Sequence, residues 1–280
     1  MNLISKQVRN IPFKAKRVAC TFGLGNHPDF LIIGAQKAGT TSLFNYINEY
    51  AQNFISPKTK ELQFFSEKYQ KGDSWYKAQF PLKIKNGCLT GEATPDYLFY
   101  HRCPERIYAK YPNVKFIVLL RNPIDRAYSQ YNFQRNSNKT KAYNPLSFEE
   151  ALQEELQEEL QEEQSQTITE EFTYKYKYRS YLKRGHYYEQ LQKWLEYYPK
   201  EQFLFIESED FYKNTETHLN EVFSFLGLEF KEGIELNLKA QNKTGYSERL
   251  KGDTREYLQN YFKPHNEKLY SLIQRNFDWD

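Results

Sequence analysis

Two hydrophobic periods divide this chain. Phe30-Leu31-Ile32-Ile33 is a continuous apolar run of strand length, and Val114 to Leu120 is a second, broken only by Lys115. Runs without polar alternation belong to strands covered on both faces, as in parallel sheets. Gln202 to Ile206 predicts another such strand, with shorter ones over Asn53 to Ser56 and Cys88 to Ala93. Between them apolar residues recur at helical spacing: Leu43, Phe44, Tyr46 and Ile47, then Leu191, Trp194, Leu195 and Tyr198, then Leu219 to Leu226 closed by Gly227. Trp75, Tyr76 and Phe80 read as core packing around a short helix. Asp253 to Ile273 predicts a terminal helix or helix pair interrupted at Pro264. Buried strands alternating with amphipathic helices predict an α/β fold, a central parallel sheet flanked by helices on both faces.

One segment departs from this pattern. Phe148 to Phe172 repeats Leu-Gln-Glu-Glu, with Leu152, Leu156 and Leu160 four apart and no Lys or Arg. It predicts a Glu-rich helical insertion over 148–172, solvated except for one leucine stripe; a partner-binding face is the alternative. Tyr174 to Tyr188 reverses the charge, interleaving Lys175, Lys177, Arg179, Lys183 and Arg184 with tyrosines. Such a stretch suits an anionic or ring-bearing ligand, or pairs with the preceding glutamates.

The first strand leads into chemistry. Gly34-Ala35-Gln36-Lys37-Ala38-Gly39-Thr40-Thr41-Ser42 joins it to the first amphipathic helix. Strand, glycine loop and helix form a phosphate cradle, because the helix N-terminus presents amide N–H groups and glycines let the backbone approach an anion. Gly34 and Gly39 keep the spacing of the P-loop motif of nucleotide triphosphatases, yet Thr40 stands where that motif has its lysine. The lysine here, Lys37, lies inside the loop. After the second strand, Arg121-Asn122-Pro123 begins a helix carrying Arg126 and Ser129. An arginine at a strand tip with a hydroxyl further along holds a phosphate by a fork and a hydrogen bond, or pairs with Asp125. Lys58-Thr59-Lys60-Glu61-Leu62-Gln63-Phe64-Phe65 places one acid among lysines, an ordinary helix start unless the Lys37 loop lies nearby. Thr94 and Pro95 start a further helical turn, and Lys243, Gly245 and Tyr246 sit in a late loop suited to an anion.

Composition narrows the classes. The chain has 280 residues, 24 Tyr and 21 Phe, so its core is rich in aromatics. A net charge of +3 does not announce a nucleic-acid partner. No apolar run has the length of a membrane span. Residues 1–28 read as an arm without the apolar stretch of a signal peptide, and 29–280 as one domain. Cys20, Cys88 and Cys103 read as free thiols of a cytoplasmic protein. Five scattered histidines suggest no metal constellation.

Taken in order, these motifs resemble the sulfotransferase superfamily, and within it the heparan sulfate (glycan-type) enzymes, from Asp29 to the C-terminus. Gly34 to Thr41 matches the family's 5′-phosphosulfate loop, Arg121 to Ser129 its 3′-phosphate element, and Lys60-Glu61 with Phe64-Phe65 the segment bearing its catalytic glutamate. Arg184-Gly185 with Tyr187, Leu191 and Trp194, and then Phe225-Leu226-Gly227, match its later helices. The resemblance implies a P-loop NTPase-like fold and 3′-phosphoadenosine 5′-phosphosulfate as donor, without metal. The acceptor it implies is a hydroxyl or amine, on a saccharide or another small hydroxyl-bearing molecule. It assigns Lys37, Ala38, Gly39, Thr40, Thr41 and Ser42 to the 5′ end, Arg121 and Ser129 to the 3′-phosphate, and Lys243, Gly245 and Tyr246 to the late donor loop. Glu61 is then the base and Lys37 the cation at the bridging oxygen, while Lys60 (with Lys58) supports Glu61 or contacts donor or acceptor. Three departures stand out, of which the first two leave the acceptor open and the third agrees with a cytoplasmic protein. Gln63 stands where the family usually has histidine, Ala93 where it has lysine, and no cysteine lies near Lys243 to Tyr246. Two rivals are a P-loop kinase or NTPase, distinguished by magnesium dependence, and a non-catalytic nucleotide- or glycan-binding protein, distinguished by donor turnover.

Overall fold

The strands form where the sequence leaves apolar runs unbroken. In the computed structural model, which describes residues 11–82, 87–136, 144–165, 174–238 and 249–279, they are β1 (Phe30–Gly34), β2 (Gly91–Ala93), β3 (Lys115–Leu120) and β4 (Phe203–Glu207). They pair in parallel in the order β2-β1-β3-β4. Every residue of β1 and β2 is buried, as is all of β3 beyond Lys115, so both faces of the sheet are covered. The helices are α1 (Phe13–Thr21), α2 (Thr40–Tyr50), α3 (Asp73–Lys77), α4 (Cys103–Tyr108), α5 (Pro123–Arg135), α6 (Phe148–Ser165), α7 (Tyr174–Tyr178), α8 (Tyr187–Leu195), α9 (Ser208–Lys213), α10 (Thr215–Leu226) and α11 (Gly252–Ile273). The chain divides into two compact units, Met1–Leu120 with Leu191–Gln241, and Arg121–Gln190 with Asn242–Asp280.

The first unit holds the whole sheet. Its aromatic residues do the packing that the composition implies. The Phe116 ring lies 5.0 Å from Trp194, 4.6 Å from Tyr198 and 4.8 Å from Phe203. Phe64 stacks on Tyr76 at 4.5 Å. Inside the segment expected as an arm, α1 buries Lys16, whose ammonium donates to the Phe80 carbonyl at 2.9 Å. Asn53 to Ser56 is not a strand: Phe54 makes a single parallel bridge to Leu89, and Pro57 follows, with no N–H to extend a ladder. Gly227 closes α10 in the left-handed region, at φ 77°.

The second unit packs helices around Ile124, Tyr128, Tyr131, Phe148, Tyr181 and Phe262. Asn122 caps α5, its side chain accepting from the Ile124 N–H at 3.0 Å. The leucine stripe of α6 is shorter than its sequence suggests. Leu152 is buried and Leu156 packs beside it, but Leu160 is 58% exposed. The α11 helix runs unbroken through Pro264. The proline removes one intrahelical N–H, yet Leu258, Phe262, Leu269 and Ile273 continue one buried face on both sides of it.

Candidate active site

The C-terminal edge of a parallel sheet is where open α/β folds bind ligands. At that edge β1 ends in Gly34 and the loop turns through Lys37, at φ 70°, to Gly39, at φ 97°. Gly39 is the N-cap of α2, and among the described residues no side chain caps this helix. Gly34 is required by contact, and Gly39 by its positive φ. A Cβ on Gly34 would lie 2.6 Å from the Leu98 Cβ, and one on Gly39 would lie 2.8 Å from the Tyr212 hydroxyl oxygen. Ala38, Thr40 and Ser42 are buried, while Lys37 is half-buried and Thr41 partly exposed. This loop leads into eleven helical residues, whose first-turn N–H groups make the start of α2 a place where an anion can be held.

Glu61 reaches the same edge by backbone pairing. β2 lies beside β1 with Ala93 opposite Ile32, and the Glu61 N–H donates to the Ala93 carbonyl at 3.1 Å. The next residues are tied to the end of β1 as well: Thr94 N–H donates to the Ile32 carbonyl at 3.1 Å and Leu98 N–H to the Ile33 carbonyl at 2.8 Å. Glu61 and the Lys37 loop therefore sit at the C-terminal ends of neighbouring strands. The Glu61 carboxylate is 47% exposed and pairs with the Lys60 ammonium at 2.9 Å. Gln63 donates to the Asp96 carboxylate at 3.0 Å and accepts from the Ser66 hydroxyl at 2.8 Å.

Beneath this segment lies Glu92, a group whose anchoring role the sequence did not disclose. Its carboxylate is fully buried. It accepts hydrogen bonds from Thr94 Oγ1 at 2.7 Å, Tyr76 Oη at 2.8 Å, Tyr97 Oη at 2.9 Å and the Leu62 N–H at 3.3 Å. Burial pushes its pKa up, against those four donors. Tyr97 also accepts from the Phe64 N–H at 2.9 Å, so the turn after Glu61 is held by the core itself. A carboxylate with its lone pairs so occupied anchors structure rather than abstracting a proton. The only sequence signal for this was Glu92 standing inside a strand.

In the second unit Arg121 opens the segment before α5, and the Tyr187 hydroxyl donates to its carbonyl at 2.9 Å. Asp125, the acid nearest in sequence, is engaged elsewhere: the Arg255 guanidinium meets it at 2.5 Å. Ser129 is buried on α5. Arg126 is fully buried and donates to Gln130 Oε1 at 2.8 Å and to the Tyr181 carbonyl, so it is a structural cation; burial lowers its pKa to about 10. Glu155 accepts the N–H groups of Tyr181, Leu182 and Lys183 at 2.7, 2.8 and 3.0 Å, fixing the turn that leads to Arg184-Gly185. Burial raises the Glu155 pKa to about 7. A Cβ on Gly185 would lie 2.6 Å from the Phe262 ring, so only glycine fits there. Lys243, Gly245 and Tyr246 lie outside the described residues. Cys20, Cys88 and Cys103 are free thiols, and among the described residues no helix is long and apolar enough to cross a membrane.

The chain is 29% identical to the membrane-associated sulfotransferase kil1 of Dictyostelium discoideum, over 90% of this chain and 66% of that protein. It is 29% identical to the human bifunctional heparan sulfate N-deacetylase/N-sulfotransferase 3, over 89% of this chain but only 30% of that much longer protein. The crystal structure of a sulfotransferase from Alicyclobacillus acidocaldarius superposes with a TM-score of 0.70 at 27% identity, covering 91% of this chain and 99% of that one. The P-loop NTPase-like architecture that the resemblance implies is thus the architecture found. A family model described as the sulfotransferase domain matches residues 27–276, and the chain belongs to that family.

Proposed function

We propose that this protein transfers a sulfuryl group from 3′-phosphoadenosine 5′-phosphosulfate to a hydroxyl or amine of a carbohydrate acceptor. The observation that carries it is the pairing of Glu61 to the end of β2, beside the β1 end that opens the Lys37 loop. An anion cradle and a solvent-accessible carboxylate at one sheet edge are what in-line transfer to a hydroxyl requires.

The steps follow from the groups present. The loop amides from Gly39 to Ser42 and the Lys37 ammonium hold the 5′-phosphosulfate. Arg121 and Ser129 hold the 3′-phosphate by a charge-assisted fork and a hydroxyl. Lys243, Gly245 and Tyr246 complete the donor site in this reading. The acceptor oxygen attacks sulfur while the bond from sulfur to the 5′-phosphate oxygen breaks. Glu61 takes the acceptor proton, and Lys37 neutralises the charge that develops on the leaving phosphate oxygen. The products are a sulfate ester, or a sulfamate from an amine, and 3′-phosphoadenosine 5′-phosphate. Lys60, paired with Glu61, orients that carboxylate. Heparan sulfate is named only by the relative, and the carbohydrate acceptor is inferred from it. We place the protein in the cytoplasm on its free thiols, which persist in a reducing compartment.

The test is turnover alongside donor binding. Glu61→Gln is expected to bind 3′-phosphoadenosine 5′-phosphate as the wild type does while kcat falls by about 10²–10⁴-fold, the range for losing general-base help. Near-normal turnover by this variant would remove Glu61 as the base. Arg121→Ala should weaken the full donor by about tenfold or more, the loss of a charge-assisted fork, in calorimetry. It should leave adenosine 5′-phosphosulfate, which lacks the 3′-phosphate, unchanged. An equal loss for both would remove Arg121 from the 3′ site.

A further inference from the structure

A tyrosine that no motif marks reaches the glycine loop of the first unit from the side of the edge strand. β3 runs parallel to β1 and β4 parallel to β3, so all three end on one edge of the sheet. α9 begins at the residue after β4, at the edge where open parallel sheets take ligands. Tyr212 lies on this helix. A Cβ built on Gly39 would meet the Tyr212 hydroxyl oxygen at 2.8 Å and its Cζ at 3.2 Å. The phenol therefore ends against the N-cap of α2.

The surroundings hold the helix and leave the hydroxyl open. Phe211 is fully buried, its ring 6.3 Å from that of Tyr46 on α2 and 5.4 Å from that of Tyr212. Asp210 ties α9 to the start of α10, accepting from Asn214 Nδ2 at 2.6 Å and meeting His218 Nε2 at 2.7 Å. The helix carrying Tyr212 is thus fixed against two others. Tyr212 itself is 44% exposed, and among the described residues its hydroxyl has no hydrogen-bond partner. Packing against a glycine needs only the ring. The O–H, with its proton uncommitted beside the first-turn amides of α2, adds a donor for the anion those amides can hold.

We infer, on the donor reading proposed above, that Tyr212 is a further donor-binding residue, its hydroxyl donating to a 5′-phosphate oxygen of the nucleotide. The loop amides approach that phosphate along the axis of α2, and the tyrosine approaches it from α9. A neutral hydroxyl adds direction without adding charge, so it orients the phosphate and leaves the charge of the breaking bond to a cation. Tyr212 takes no proton and forms no bond in the transfer step.

The test is calorimetry on the full chain with nucleotides that differ at the 5′ end. Tyr212→Phe keeps the ring and its packing, so its Tm should match the wild type. It should bind both 3′-phosphoadenosine 5′-phosphate and adenosine 5′-phosphosulfate about tenfold more weakly, the loss of one hydrogen bond to a charged group. Adenosine 3′-phosphate, which has no 5′ group, should bind variant and wild type alike. Tyr212→Leu, which removes the ring as well, should add little to the loss. Unchanged affinity of Tyr212→Phe for the two 5′-substituted nucleotides overturns the role of Tyr212 alone. So does an equal loss for adenosine 3′-phosphate, or a loss confined to Tyr212→Leu, which would make the ring a platform for the base. A wild type that binds none of the three overturns the donor reading and the role of Tyr212 with it.

Discussion

Two buried glutamates organise the two units, and they do it with different donors. Glu92 in the first unit is held by the hydroxyls of Tyr76, Tyr97 and Thr94 and one N–H. Glu155 in the second is held by three consecutive backbone N–H groups. Each carboxylate fixes a turn, in one case beside the proposed base Glu61 and in the other leading to Arg184-Gly185. Hydroxyls can reverse and accept, whereas backbone amides only donate. The two anchors should therefore fail in different ways when the carboxylate is replaced.

The largest effect is expected from Glu92→Ala. It strands four buried donors, and each buried donor left without a partner costs about 1–3 kcal/mol. Tm should fall sharply, and turnover with it as the segment carrying Glu61 loosens. Glu92→Gln is the sharper variant. Its amide can keep accepting from Leu62 and Thr94 while the tyrosine hydroxyls accept from its NH₂. Turnover should stay within about tenfold of wild type, against the 10²–10⁴-fold loss expected for Glu61→Gln. A folded Glu92→Gln protein with no turnover would make Glu92 the base and reverse the assignment.

Glu155→Gln should be costlier than Glu92→Gln, because its NH₂ would face a backbone N–H. Titration adds a second measure. The folded pKa of Glu155 is raised to about 7, above its unfolded value of 4.5. Stability from this group is fully present below pH 4.5 and is lost as pH rises through 7, an effect of about 3 kcal/mol. His186 opposes it. Its pKa is lowered, chiefly by burial, so its contribution is present above pH 6.5 and lost on acidification. Comparing wild type with Glu155→Gln cancels the histidine. The wild-type advantage in denaturant melts should shrink from pH 5 to pH 8, and a constant difference would contradict the raised pKa.

The same contrast shows what was legible beforehand. β1, β3 and β4 were readable because strands buried on both faces leave no polar alternation, and the α5 cap because Asn122-Pro123 is a local signal. The glycine loop was readable for the same local reason. Glu92 was not, since its partners Tyr76 and Leu62 stand 16 and 30 residues away. Glu155 was hidden differently: it is one of many glutamates in a Leu-Gln-Glu-Glu repeat, and only the depth of α6 packing separates it from its neighbours. Pro264 misled because propensity is local and the buried face of α11 is not. His186 and His265 are brought together only by the packing of α11.

The smallest effect sharpens the comparison from the exposed side. Lys60 and Glu61 form an ion pair at 2.9 Å, with the lysine side chain 19% exposed and the carboxylate 47%. Exposed pairs contribute about 0–1 kcal/mol, because solvent screens them and two long side chains lose freedom. Lys60→Ala should therefore leave Tm within about 2–3 °C of wild type. Its effect on turnover separates two roles. If Lys60 only orients Glu61, whose backbone is already fixed by Ala93, kcat should fall by less than about tenfold and KM for the acceptor should hold. If the ammonium also binds an acceptor sulfate or carboxylate, KM should rise while kcat holds, and the rise should shrink at high salt as screening removes the attraction. A loss of kcat as deep as that of Glu61→Gln would mean that the lysine itself meets charge developing in the transition state. Lys60 would then join Lys37 at the transferring group.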